Sequence, residues 1–164
     1  MTELYFQNGN MADYFNDDFR DFLKALNNQE VDYILVGGMA VILNGYVRTT
    51  GDMDVWVKKT KANYRKIVKA FHEFKMPVFD MTEERFLSNE FDVWMFGVEP
   101  VKIELMTAVK GLKFENAYTR SQIHNDGDLP VRFLHINSLI KAKKSAGRHK
   151  DLDDINQLQK RNKK

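Results

Sequence analysis

Between Asp52 and Val57 the chain alternates without a break, with Met53, Val55 and Val57 on one side and Asp52, Asp54 and Trp56 on the other. Successive residues of a strand face opposite sides of a sheet, so this stretch reads as a strand with one buried apolar face and one acidic face open to water. Two carboxylates two positions apart then share a face and repel each other unless water or a cation screens them. A divalent ion is a natural reason to keep them together, and an all-oxygen set suits Mg²⁺ or Mn²⁺ better than zinc. By itself an Asp-x-Asp triplet is common, and two solvated aspartates on a sheet edge account for it equally well.

The segments around this strand define an alternating chain. Phe19, Phe22, Leu23 and Leu26 recur at helical spacing behind Asn16 or Asp17 as a cap, predicting a helix over residues 17–26. Residues 31–36 read as a buried strand closed by Gly37-Gly38, and residues 39–43 as a short helix stopped by Asn44-Gly45. Tyr64, Ile67, Val68, Phe71 and Phe74 form a further helical stripe that ends ahead of Pro77. Strands are expected at 91–96, 101–106, 120–123 and 131–133, the last two flanking the turn-prone Asn125-Asp126-Gly127-Asp128. Two helices, near 136–145 and 150–159, finish the chain. The fold class is therefore α/β or α+β: a small mixed sheet flanked by helices.

Composition bounds what such a domain can do. The chain has 164 residues and no cysteine, so one core must supply its stability without disulfides or thiolate metal sites. No window approaches the ~20 apolar residues of a membrane span, and no secretory signal stands at the start. The reading is a cytoplasmic protein without a membrane partner. Residues 1–10 include Glu3-Leu4-Tyr5-Phe6-Gln7, which resembles a protease-cleavage sequence of expression vectors, and are set aside as a scar, leaving 11–164 as a single domain. Net charge is only +2, yet residues 141–164 hold nine bases against three acids. That end is suited to a polyphosphate, although a solvated helix face with a lysine tail explains it as well. The four histidines, at 72, 124, 135 and 149, have no metal-ligand spacing and read as surface or core residues.

Order and spacing raise the acidic strand above an ordinary sheet edge. Leu35-Val36-Gly37-Gly38, a gap, Asp52-Met53-Asp54-Val55 and a later strand bearing Glu104 together resemble the DNA polymerase β nucleotidyltransferase superfamily. Arg48-Thr49-Thr50 and Gly147-Arg148-His149-Lys150-Asp151-Leu152 are similar to its minimal nucleotidyltransferase branch, akin to abortive-infection toxin nucleotidyltransferases. The resemblance covers about residues 31–155. It implies a nucleotidyltransferase fold with C-terminal helices and Mg²⁺-dependent transfer of a nucleoside monophosphate from an NTP, ATP included, to an acceptor, with pyrophosphate leaving. Asp52, Asp54 and Glu104 would be the catalytic and metal-binding acids. Gly37, Gly38 and Arg48 would bind the nucleotide, with Thr49 and Thr50 weaker candidates because β-propensity beside a turn explains them as well. In the C-terminal segment Lys144 and Arg148 are the candidates to grip the triphosphate, with helix-end cations that answer a dipole as the alternative reading. Two features depart from the usual pattern: Gly-Gly replaces Gly-Ser, and glutamate stands where relatives often have aspartate.

The acceptor is open among a tRNA end, a protein hydroxyl and a small molecule, and the partner among a homodimer and a second protein such as a toxin or antitoxin. Two other classes compete. A nucleotide-binding or antitoxin-like protein of the same fold without turnover would not need all three acids. A nucleic-acid-binding module would need a basic stripe beyond residues 141–164, which the chain lacks.

Overall fold

The computed structural model of the chain describes residues 15–162. The segment set aside at 1–10 lies outside the described residues. In chain order the elements are α1 (Asp17–Asn28), β1 (Tyr33–Val36), α2 (Gly37–Leu43), β2 (Asp52–Val57), α3 (Lys61–Glu73), α4 (Glu83–Leu87), β3 (Val93–Phe96), β4 (Lys102–Met106), α5 (Phe114–Arg120), β5 (Gln122–Asp126), β6 (Leu129–Phe133), α6 (Ile136–Ala146), a 3₁₀ turn (His149–Asp151) and α7 (Leu152–Asn162).

Local chemistry sets most of these boundaries. Asn16 Oδ1 accepts the Phe19 amide at 2.8 Å and starts α1, and the Thr60 hydroxyl accepts the Asn63 amide at 3.1 Å and starts α3. Gly147, at φ 64°, closes α6 in the left-handed region where a Cβ is unwelcome. The β5–β6 hairpin turns at Gly127 and Asp128 as expected from the sequence.

Six strands form one mixed sheet in the order β3-β4-β2-β1-β6-β5. β2 runs antiparallel to β1 and parallel to β4, while β6 runs parallel to β1 and the two outer strands are antiparallel to their neighbours. One side of the sheet holds Met53, Val55 and Val57 against Phe19, Phe22 and Leu23 of α1 and Ile67 and Phe71 of α3. On the other side Ile34, Val36 and Trp56 meet Leu139 and Ile140 of α6 and Leu158 of α7. The acidic face of β2 is therefore the face that the C-terminal helices cover only in part.

The structure adds two helices and moves two expected boundaries. Residues 83–87 and 114–120 are short helices, and Arg120, expected to open a strand, ends α5. Each buries one side chain, Phe86 or Ala117, too few to make a periodic stripe. The last helix begins at Leu152 rather than 150, because a 3₁₀ turn intervenes. Among the described residues no helix is long and apolar enough to cross a membrane.

Candidate active site

Strand pairing brings the acids together. β2 and β4 are parallel neighbours, and Asp54 stands directly opposite Glu104, with Asp52 opposite Lys102. Directly opposed residues project from the same face, so Asp52, Asp54 and Glu104 share the acidic side of the sheet. Lys102 Nζ lies 3.8 Å from Asp52 Oδ2. Asp54 Oδ1 is buried and has no hydrogen-bond partner.

Burial pushes the Asp54 carboxyl up to about 7, reinforced by the charge of Glu104, a hydrogen bond with it and the charge of Asp52, and opposed by Lys143. A buried oxygen without a donor and a pair of carboxyls that cannot both ionise cheaply are what a hard divalent cation relieves. The donor set thus fits Mg²⁺ or Mn²⁺ in kind. Among the described residues, however, no three His, Asp or Glu side chains form a group that could hold an ion by themselves, so further oxygens would have to come from water or substrate.

The glycines have a specific steric role. Gly37 has φ +62°, and a Cβ there would lie 2.0 Å from Asp54 Oδ2. At Gly38 a Cβ would lie 2.4 Å from Thr50 Oγ1. The space expected above them for a phosphate is thus shared with the Asp54 carboxylate and the Thr50 side chain.

Behind the acids runs a chain of ion pairs that joins the loop before β2 to the C-terminal helices. Arg48 grips Asp154 through Nε at 2.8 Å and Nη2 at 2.9 Å. Lys143, almost wholly buried, lies 3.0 Å from both Asp154 and Asp151. Arg148 closes the chain on Asp151 at 2.6 Å and 3.2 Å, its own side chain half exposed. Burial raises the Asp151 carboxyl, but the bonds and charges of Arg148 and Lys143 outweigh this and hold it below the usual carboxylate range.

These groups surround one cleft of about 590 Å³, lined by Gly37, Gly38, Arg48, Asp52, Asp54, Glu104 and Arg148 among others. Seven acids line it against four bases, Arg48, Lys143, Arg148 and Lys150. Two expected residues stand elsewhere. Thr49 is exposed and Thr50 takes the place in the cleft, because the alternation of extended backbone turns only one of the pair inward. Lys144 is exposed while Lys143 lines the cleft. Lys143 falls near the centre of the helical stripe made by Leu139 and Ile140, whereas Lys144 lies about a quarter turn from that centre. That periodicity was the available signal for Lys143. Asp154, which ties Arg48 and Lys143 together, left no sequence signal, since nothing in its neighbourhood marks it as buried.

A mixed α/β sheet with paired acids beside a Gly-Gly turn defines a nucleotidyltransferase-like protein. The chain belongs to the family described as "Nucleotidyltransferase of unknown function (DUF6036)", whose family model matches residues 17–162. A crystal structure of a Thermotoga maritima protein provisionally assigned as a nucleotidyltransferase has the same fold, with a TM-score of 0.59 and 16% identity over 87% of this chain and 90% of that one. No curated protein matches the chain.

Proposed function

We propose that this protein is a metal-dependent nucleotidyltransferase that moves a nucleoside monophosphate from an NTP to an acceptor hydroxyl and releases pyrophosphate. The observation that carries the reading is Asp54 facing Glu104 across two parallel strands with its Oδ1 buried and unpartnered, inside a cleft of a family described as nucleotidyltransferases. A cleft with seven acids and four bases repels a bare triphosphate, so the polyphosphate enters only with its charge compensated. Asp52 and Asp54, with Glu104 as a third ligand and water or substrate oxygens completing the set, would hold Mg²⁺ or Mn²⁺, which would supply that charge.

The chain's own residues position and move a proton. Arg148, anchored on Asp151 yet half exposed, and Lys150, which has no ion pair among the described residues, face the β and γ phosphates. Arg48 is committed to Asp154 and holds the loop that carries Thr50 and Gly51 and leads into β2 at Asp52. Glu104 accepts the proton of the acceptor hydroxyl as its oxygen attacks the α phosphorus. Calorimetry of ATP binding with and without Mg²⁺, on wild type and Asp52→Asn, tests the reading. Metal-enhanced binding that the variant loses is expected, and equal affinity in all four titrations overturns it.

A second reading, nucleotide binding without turnover, is favoured by the absence of a self-sufficient three-residue cation group among the described residues. Labelled NTPs incubated with Mg²⁺ and pooled tRNA, protein and small acceptors separate the two, because only the first reading transfers label.

A further inference from the structure

A second, smaller cavity of about 270 Å³ adjoins the polar cleft on the same face of the sheet. Away from the residues it shares with that cleft, its wall is aliphatic, Val36, Met106, Val109, Leu139, Ala142 and Ala146, with Lys110 the one charged side chain there. The two compartments share Gly37, Asp54, Glu104, Lys143 and Arg148, whereas Asp52, Gly38, Arg48 and Thr50 line the polar one alone. Asp54 and Glu104 therefore stand as the partition. The apolar side continues along β4 from Glu104 to Met106 and across to Val93, which is 46% exposed at the edge strand.

From this arrangement we infer that the apolar cavity is the acceptor pocket, and that the acceptor is a hydroxyl carried on a small, flat apolar body such as a phenol or an aromatic alcohol. The inference rests on the nucleotidyltransferase reading of the polar cleft. In phosphoryl transfer the attacking and leaving oxygens lie roughly in line through phosphorus. With pyrophosphate leaving into the polar cleft on the side of Lys150, which the apolar cavity does not share, the attacking hydroxyl comes from the opposite side of the partition. There its oxygen forms the new bond to the α phosphorus, the bond to the β-phosphate oxygen breaks and leaves with its electron pair, and the hydroxyl proton passes to Glu104.

The lining argues against the other occupants. Beyond the partition residues it shares with the cleft, Lys110 is the one hydrogen-bonding side chain on the cavity wall, a donor alone, so the mixed donor and acceptor edge of a nucleobase would lose more water contacts than it regained. A nucleic-acid end would have to lay a charged backbone against an aliphatic wall. The size suits one or two rings, at the lower end of small-ligand pockets, which begin near about 300 Å³.

The test uses the full chain, Mg²⁺, α,β-methylene-ATP and 2-naphthol as the apolar hydroxyl. By NMR titration 2-naphthol should bind the nucleotide-loaded protein with Kd below about 1 mM. Ala142→Leu and Ala146→Leu, two independent ways of filling the cavity, should each weaken naphthol about tenfold or more and leave nucleotide affinity within about twofold. Thermal melts verify that each variant is folded, and a variant that fails to fold leaves the decision to the other. With labelled ATP, label should pass to naphthol in preference to glycerol and tRNA. Competition between naphthol and nucleotide, lost nucleotide affinity in the leucine variants, absence of naphthol binding at millimolar concentration, or label passing preferentially to tRNA would each overturn the inference. If Mg²⁺ and nucleotide fail to bind wild type, the proposed function itself has failed. If they bind and naphthol does not, only the acceptor assignment has.

Discussion

Asp54 is the residue at which stability and function are opposed. Its carboxyl is pushed up to about 7 by burial and by Glu104, so between about pH 4 and 7 the folded state holds a proton that the unfolded chain has released. The sign follows: the unfolded state binds fewer protons, and stability falls as pH rises through this window, by up to about 1 kcal/mol per pH unit. Asp54→Asn removes the penalty. The variant should melt higher than wild type at pH 7.5 without metal and show a flatter stability profile between pH 5 and 7.5, readable by thermal melts at both values. A lower melting temperature at pH 7.5 would show that Asp54 is satisfied by groups other than a cation. For Glu104, the third acid of the proposed mechanism, Glu104→Gln should keep most Mg²⁺–NTP affinity while kcat drops about 10²–10⁴-fold, the range for a lost proton-transfer group. Wild-type kcat in that variant would favour nucleotide binding without turnover.

At the scale of elements, two contacts decide how the site is held. Gly37 opens α2 and leaves room for the Asp54 carboxylate of β2, with a Cβ there only 2.0 Å from Oδ2 and a backbone φ of +62°. Gly37→Ala should destabilise through both clash and backbone, the left-handed conformation alone accounting for about 1–2 kcal/mol. Combined with Asp54→Ala it should lose part of that cost, because the clashing oxygen is gone. A double-mutant cycle measured by denaturant unfolding should give a coupling of about 0.5–3 kcal/mol, and strict additivity would mean that α2 shifts freely. The second contact joins α6 to the C-terminal segment through Lys143, Asp151 and Asp154. Lys143→Met leaves two buried carboxylates with one arginine each and should lower stability by about 3 kcal/mol, near the lower end for a broken buried pair. Lys144→Met, one residue along and exposed, should stay within about 0.5 kcal/mol in the same denaturant series.

The whole molecule responds to pH and metal through opposed groups. Asp151, held below the usual carboxylate range by Arg148 and Lys143, contributes stability that is present above about pH 4 and is lost as acid protonates it. Asp54 acts in the other direction at higher pH. Metal that binds the ionised Asp54 adds stability by mass action, in proportion to the logarithm of its concentration over Kd. Millimolar Mg²⁺ should therefore raise the melting temperature more at pH 8 than at pH 5, where protons compete for the same oxygens. An equal rise at both values, or none, would remove the cation from the Asp54–Glu104 pair.

Much of this was legible one segment at a time. The span of β2 follows from its strict alternation, α1 and its Asn16 cap from an aromatic stripe behind an amide side chain, and the hairpin from Gly127, because period and turn chemistry are local properties. The grouping of Gly37, Gly38, Arg48, Asp52, Asp54, Glu104 and Arg148 was legible only as a resemblance of spacing. Only the tertiary structure decided that β2 and β4 are neighbours in a register that opposes Asp54 to Glu104, since strand order is settled by how whole faces are buried rather than by either strand alone. It also selected Lys143 over Lys144 and Thr50 over Thr49, and spent Arg48 on Asp154. The Arg48 choice depends on a partner 106 residues away, which no window of the chain contains, whereas those at Lys143 and Thr50 follow helical period and alternation but need to know which face is buried and where Gly38 lies.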